Sequence, residues 1–158
     1  MSNDDGRDAE VAAPPALEPE FGAFGADDAW ELGCLLRTRA AAAGHAVTID
    51  IRRPTGILFH SALPGALPDQ QEWVRKKAQV VFRFEASSAL IAQRLAGASI
   101  DAAALGWLDP AEYALAGGSV PVRVTGAGVV AAVTVSGLSS DEDHQLVIDG
   151  MLTLLADL

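Results

Sequence analysis

The sequence predicts an α/β domain, a mostly antiparallel sheet with helices packed on it. Three observations lead there. Two pairs of alternating, β-branched runs, at 47–61 and 119–136, are each closed by a short turn-forming stretch and read as hairpins. Helix-forming segments separate the hairpins and flank them, an order that favours helices on an antiparallel sheet over a doubly wound nucleotide fold. Half of the 158 residues are hydrophobic, so one domain with a sizeable core is the default.

Residues 1–25 carry Pro14, Pro15 and Pro19 and a run of acids without an apolar period. They read as a disordered acidic tail ahead of a folded domain at 26–158. From Asp28, DAWELGCLLRTRAAAAG reads as a helix: Asp28 caps it, Glu31 follows three later, Ala29, Leu32, Leu36 and Ala40 line one face, and Gly44 stops it. VTIDI (47–51) sets Val47, Ile49 and Ile51 against Thr48 and Asp50, and ILFHS resumes the strand pattern after Arg-Arg-Pro-Thr-Gly. A second helix opens at Leu67 or Asp69, with Pro68 suited to the first turn and Glu72 completing the Asp69 capping pattern. Trp73, Lys77, Val80, Val81 and Phe84 share one side of it, while its end, QVVFRF, also passes as a strand. Ser87 or Ser88 caps a short helix that ends at Gly97. Asp109-Pro110-Ala111-Glu112 repeats the cap, proline and acid signature, and Gly117-Gly118 then breaks the chain. SVPVRV and VVAAVTVS form the second hairpin around Gly126-Ala127-Gly128, and a last helix runs from about Ser140 to Ala156.

Eleven Lys and Arg against 21 Asp and Glu give a formal charge of −10, which opposes nonspecific attraction to nucleic acid or to an anionic membrane surface. No apolar run is long enough to cross a bilayer and no basic-then-apolar leader is present, so the chain reads as cytoplasmic. Cys34, the single cysteine, has no partner for an intrachain disulfide, and among Leu32, Leu35 and Leu36 it reads as a packed thiol rather than a nucleophile.

GAGVVA (126–131) imitates a truncated dinucleotide fingerprint, but a β-branched strand follows where that motif needs a helix N-terminus, so it reads as a hairpin turn. VTVSGLS lacks the spacing of a nucleophile elbow. Ser139-Ser140-Asp141-Glu142 is a capping box, and acids in a first helical turn are favoured by its unpaired N–H groups. His144 differs, because Val147, Ile148 and Met151 follow at three, four and seven residues and put its ring on the apolar stripe. Two readings stay open for it, a buried packed histidine or a ligand or base facing a pocket. His45, His60 and His144 lie far apart, without metal-ligand spacing, so no metal site is expected from local sequence. The other candidate is W-V-R-K-K, Trp73 to Lys77, with Arg83: four of the eleven basic residues fall within nine positions. That cluster suits a carboxylate or phosphate with Trp73 as a flat wall, or else a solvated face paired with acids from elsewhere. Gly117-Gly118 reads as a strand-entry turn that also lets backbone N–H groups approach a ligand.

Taken together, LGxxLRxRA (32–40), LFHSALPG (58–65), WVRKKAQVVFRFEASS (73–88), YALAGGSVPVRVTGAGVVAAVTVSGL (113–138) and DEDHQLVIDGM (141–151) resemble the haem-degrading-domain superfamily of GlcG-like and HbpS-like proteins. The nearest likeness is to its uncharacterised protein family 0303 branch. The resemblance implies a three-layer α/β/α domain with a central, mostly antiparallel sheet in a profilin-like or roadblock-like arrangement, and self-association into dimers or larger homo-oligomers. It singles out Trp73, Lys76, Lys77, Arg83, Gly117, Gly118, Asp143 and His144 as cofactor-binding residues, with His144 as axial ligand or proton donor and the Lys/Arg group as partner of haem propionates. Two functions follow as expectations: a protein that binds or degrades haem or a similar small anionic compound, or a non-catalytic oligomeric adaptor. The residues alone supply no complete catalytic constellation, so turnover stays open.

Overall fold

The computed structural model describes residues 18–158. Five strands, β1 (Glu20–Phe21), β2 (Thr48–Arg53), β3 (Gly56–Ala62), β4 (Ser119–Val124) and β5 (Gly128–Ser136), form one sheet in the order β1-β4-β5-β2-β3. Both expected hairpins are present, and β2 and β5 pair antiparallel at the centre, with Ile49 opposite Val135 and Ile51 opposite Val133. Only β1 runs parallel to its neighbour, β4.

Four helices, α1 (Ala26–Ala42), α2 (Asp69–Phe84), α3 (Ser88–Gly97) and α4 (Ser140–Ala156), complete the three-layer α/β/α arrangement. Successive strand side chains point to opposite faces. Ile49, Ile51, Val120, Val122, Val133 and Val135 therefore meet Leu32 and Leu36 of α1 and Val147, Ile148 and Met151 of α4 in the main core. The opposite face packs Ala132 on Ala78 and Val81 of α2, and α3 extends that layer through Ile91 against Val80.

Several element boundaries differ from the sequence reading, each for a local reason. Residues 1–17 of the expected tail lie outside the described residues, but its remainder is ordered: Phe21 is fully buried in the main core and β1 pairs with β4. Helix α1 starts two residues before Asp28, whose Oδ2 accepts from Gly25 N at 2.7 Å as the third helical residue rather than the cap. QVVFRF is helical to Phe84. Pro68 stands at the α2 N-cap, so Asp69 does not cap. Asp109-Pro110-Ala111-Glu112 is a turn and not a helix start; Asp109 Oδ1 accepts from Ala111 N at 2.8 Å. The 98–118 connection, which contains a short 3-10 turn at Ala102–Ala104, therefore has little regular structure.

Candidate functional site

Helix α2 lies between the sheet and the 98–118 connection, and its 3.6-residue period divides its basic cluster between them. Lys77 falls on the buried side. Its Nζ donates to Asp143 Oδ2 at 3.1 Å and to Val135 O at 3.2 Å, with both side chains almost wholly buried. Asp143 Oδ1 accepts from Leu138 N at 3.0 Å, which fixes the entry into α4. Burial pushes the Asp143 carboxyl pKa up and the Lys77 amine pKa down, and the attraction between the two opposes both shifts.

The glycine pair makes this contact possible. Gly118 has φ +135°, and a Cβ there would run into Val135 O and stand 2.8 Å from Lys77 Nζ. A Cβ on Gly117 would stand 2.5 Å from Ser140 O at the start of α4. The GG turn, read from sequence as a strand entry, thus holds the α4 N-terminus against the sheet end and against α2.

The outer side of α2 carries the other three basic residues. Arg75 Nη1 donates to Glu112 Oε2 at 3.1 Å, and its Nη2 donates to Glu72 Oε2 and Ala111 O, each at 3.0 Å. Arg83 Nη1 donates to Tyr113 Oη at 3.1 Å, and its guanidinium lies 4.8 Å from the Trp107 ring centre and 5.2 Å from that of Tyr113. Both arginines therefore tie the 98–118 connection to α2, an arrangement to which the flat guanidinium is suited. Lys76, half-buried, makes no hydrogen bond or ion pair among the described residues.

Two clefts result, separated by Trp73, whose Nε1 donates to Asp69 Oδ2 at 3.0 Å. One, of about 360 Å³, is walled by Trp73, Leu108, Pro110, Tyr113 and Ala114, with Lys76 on its lining. The other, of about 320 Å³, is more polar and runs from Trp73 past Gln70 to Lys77, Ser136 and Asp143. Both lie near the lower end of ligand-pocket volumes, roughly 300–1,000 Å³.

Of the residues singled out from sequence, Trp73, Lys76, Lys77 and Asp143 line these clefts, Gly118 lies against the ion pair, and Gly117 lies against Ser140 at the start of α4. Arg83 lines neither and braces the wall. His144 also lines neither. Its residue is 6% exposed, and Nδ1 and Nε2 have no hydrogen-bond partner among the described residues. Burial lowers its pKa, while Glu18 and Asp141 act in the opposite direction.

Sequence reasoning missed the wall residues Leu108, Pro110 and Tyr113, for which the one available signal was an unusually long connection between α3 and β4. It also missed Asp50, a fully buried carboxylate that accepts from Arg52 Nε at 2.6 Å and Nη2 at 2.8 Å and lies 2.8 Å from His60 Nδ1. Among the described residues, no group of three or more His, Cys, Asp or Glu converges as a metal site, and no helix is long and apolar enough to cross a membrane.

Comparison with known proteins adds to this geometry. Residues 24–151 match the family described as haem degrading protein HbpS-like. A UPF0303 protein of Edwardsiella ictaluri is 46% identical over 128 residues, covering 81% of this chain and 82% of that protein. Among solved structures, the Ybr137w protein has a TM-score of 0.79 at 26% identity, covering 87% of this chain and 82% of that one. HbpS has a TM-score of 0.69 at 25% identity, covering 90% of this chain and 98% of that one.

Proposed function

The chain belongs to the HbpS-like haem-degrading protein family, and from that membership we propose that it binds a planar, mainly apolar anion of the haem class in the cleft between α2 and the 98–118 connection. The observation that carries the reading is one wall of Trp73, Leu108, Pro110 and Tyr113 with an ammonium beside it, Lys76, that has no hydrogen-bonded or ion-paired partner among the described residues. Apolar walls with few placed polar groups are the usual composition of a ligand pocket, and an indole face takes a flat ring by stacking.

A haem iron held by histidine needs a neutral imidazole with a free nitrogen. His144 has that chemistry, since burial favours its neutral form and both ring nitrogens lack partners among the described residues. It does not line the cleft that offers the planar wall, so within one chain His144 does not fit as axial ligand to a group bound there. The proposed recognition therefore rests on Trp73 and Lys76, with Lys77, Asp143, Gly117 and Gly118 as the frame behind them and Arg83 as a brace.

The test is a titration of the purified protein with haemin, followed by absorbance. Saturation near one haemin per chain, with affinity reduced about tenfold or more in Trp73→Ala, is the expected outcome for loss of a stacking wall. A nonsaturating titration, or one indifferent to Trp73→Ala, removes the cleft as the site.

We further propose self-association, favoured by the free edge of β3, where Trp30 and Ile57 are 63% and 58% exposed. An unpaired strand edge with large apolar neighbours is a template for a second copy. Sedimentation of wild type and Ile57→Lys checks it; a monomeric wild type would end this reading.

A further inference from the structure

Resting on the cleft reading above, we infer that the cleft recognises its ligand through one carboxylate, taken by Lys76, and that a second carboxylate adds no affinity. The charges around the cleft carry this. Of the four basic residues on α2, three are already committed within the fold.

Arg75 is bound by two carboxylates and a carbonyl, those of Glu72, Glu112 and Ala111. Arg83 is stacked between the Trp107 and Tyr113 rings and donates to Tyr113 Oη. Lys77 is held by Asp143 and Val135 O, and withdrawing it would leave the Asp143 carboxylate buried without a counter-charge. Lys76 alone lines the apolar cleft without a hydrogen-bonded or ion-paired partner among the described residues. A half-buried ammonium beside an apolar wall forms a stronger, charge-assisted bond to a carboxylate than it does in bulk water.

The acids of the region oppose a second anionic group. Glu112 and Asp143 are already paired with Arg75 and Lys77, but Asp69 in the neighbouring cleft and Asp109, next to Pro110 in the wall, have no ion-pair partner among the described residues. Like charges brought together in a partly desolvated site repel, so the acids cancel what a second carboxylate could add while Lys76 selects an anion over a neutral molecule. The ligand class that meets both conditions is a flat, apolar ring system that presents one carboxylate to Lys76, whether or not it carries a second.

Metal-free protoporphyrin IX provides a graded set of probes: the diacid, its monomethyl ester and its dimethyl ester, titrated by quenching of tryptophan emission. The expected result is equal affinity, within about threefold, for diacid and monoester, and an affinity about tenfold or more lower for the diester, as loss of one charge-assisted bond requires. Lys76→Met should remove the difference between monoester and diester, and Lys76→Arg should restore it. A diacid that binds about tenfold tighter than the monoester, or a Lys76→Met protein that still prefers the monoester, overturns the inference. If all three probes still lose affinity in Trp73→Ala, the cleft reading survives that result. Absence of binding by every probe, or binding unaffected by Trp73→Ala, overturns both.

Discussion

The two faces of the sheet are made by the same strands and are held by different forces. Toward α1 and α4 the strands present Ile49, Ile51, Val120, Val122, Val133 and Val135, all fully buried in one apolar core. Toward α2 the alternate positions are Thr48, Asp50, Ser119 and Thr134, also fully buried, with Ala132 among them. Thr48 Oγ1 donates to Gln70 Oε1 at 3.1 Å, and the Ser119 and Thr134 hydroxyls lie 2.8 Å apart. Apolar burial is nondirectional and tolerates rearrangement, whereas a buried polar group holds its position because losing its partner is costly. The α2 face is thus the side on which a binding geometry can be fixed, and both clefts border α2.

The largest effect should come from breaking the polar side at its most buried charge. Lys77→Met leaves Asp143 buried and unpaired, and should cost about 3–5 kcal/mol of unfolding free energy in urea titrations. The double variant Lys77→Met/Asp143→Asn keeps an acceptor for Leu138 N and removes both charges, so it should recover to within about 1 kcal/mol of wild type. The pKa directions agree with this, because burial disfavours the charged form of each partner. A double variant as unstable as the single one would mean that the ion pair is itself required on this face.

On the apolar side, Ile49→Ala removes a fully buried side chain and should cost about 2–5 kcal/mol through lost transfer energy and the cavity left behind. The contrast lies in the second readout. At temperatures where the variant stays folded, its affinity for haemin should equal that of wild type. An affinity loss comparable to that of Trp73→Ala would dissolve the division between the faces.

The two faces also differ in how far they can be read from sequence. Ile49, Ile51, Val133 and Val135 alternate with polar residues, so both hairpins and a sheet covered by helices were legible from period alone, while the three layers came from the family resemblance. The β1 strand was not, because two residues carry no period and Phe21 sits in an acidic, Pro-rich stretch. The basic cluster was visible, but its partners were not: Glu112 lies 37 residues from Arg75, and Asp143 lies 66 from Lys77. Pairing at such separations is set by the fold, and only then does Lys76 stand apart from its neighbours. The His144 stripe put the ring on the apolar side, where it is buried, but left a packed ring and a ligand both open, and nothing local could indicate that the ring would lack a partner among the described residues.

A smaller effect should follow from loosening the cleft wall rather than the sheet. Arg83→Ala removes the stacked guanidinium that ties Trp107 and Tyr113 to α2, and should cost at most about 1 kcal/mol, the scale of a partly exposed cation–π contact. Binding should suffer more than stability, with haemin affinity falling severalfold because the wall must be ordered again on association. Amide exchange across 98–118 checks the cause, which should be faster in the variant there and unchanged in β2 and β5.

The smallest effect concerns His144, where the two layers meet at the start of α4. Its pKa is lowered from 6.5 by burial, so in the window between the folded value and 6.5 the unfolded chain binds more protons than the folded one. Stability contributed by the neutral ring is therefore full above 6.5 and declines as pH falls through that window. Asp143 acts with the opposite sign, since a raised carboxyl pKa makes protonation favour the fold as pH falls toward 3.8. His144→Leu removes the first contribution and leaves the second. The difference in melting temperature between variant and wild type should then shift in favour of the variant as pH is lowered from 6.5. A pH-independent difference would mean that the His144 ring finds a partner in solution, and that its burial in the folded chain does not suppress its charge.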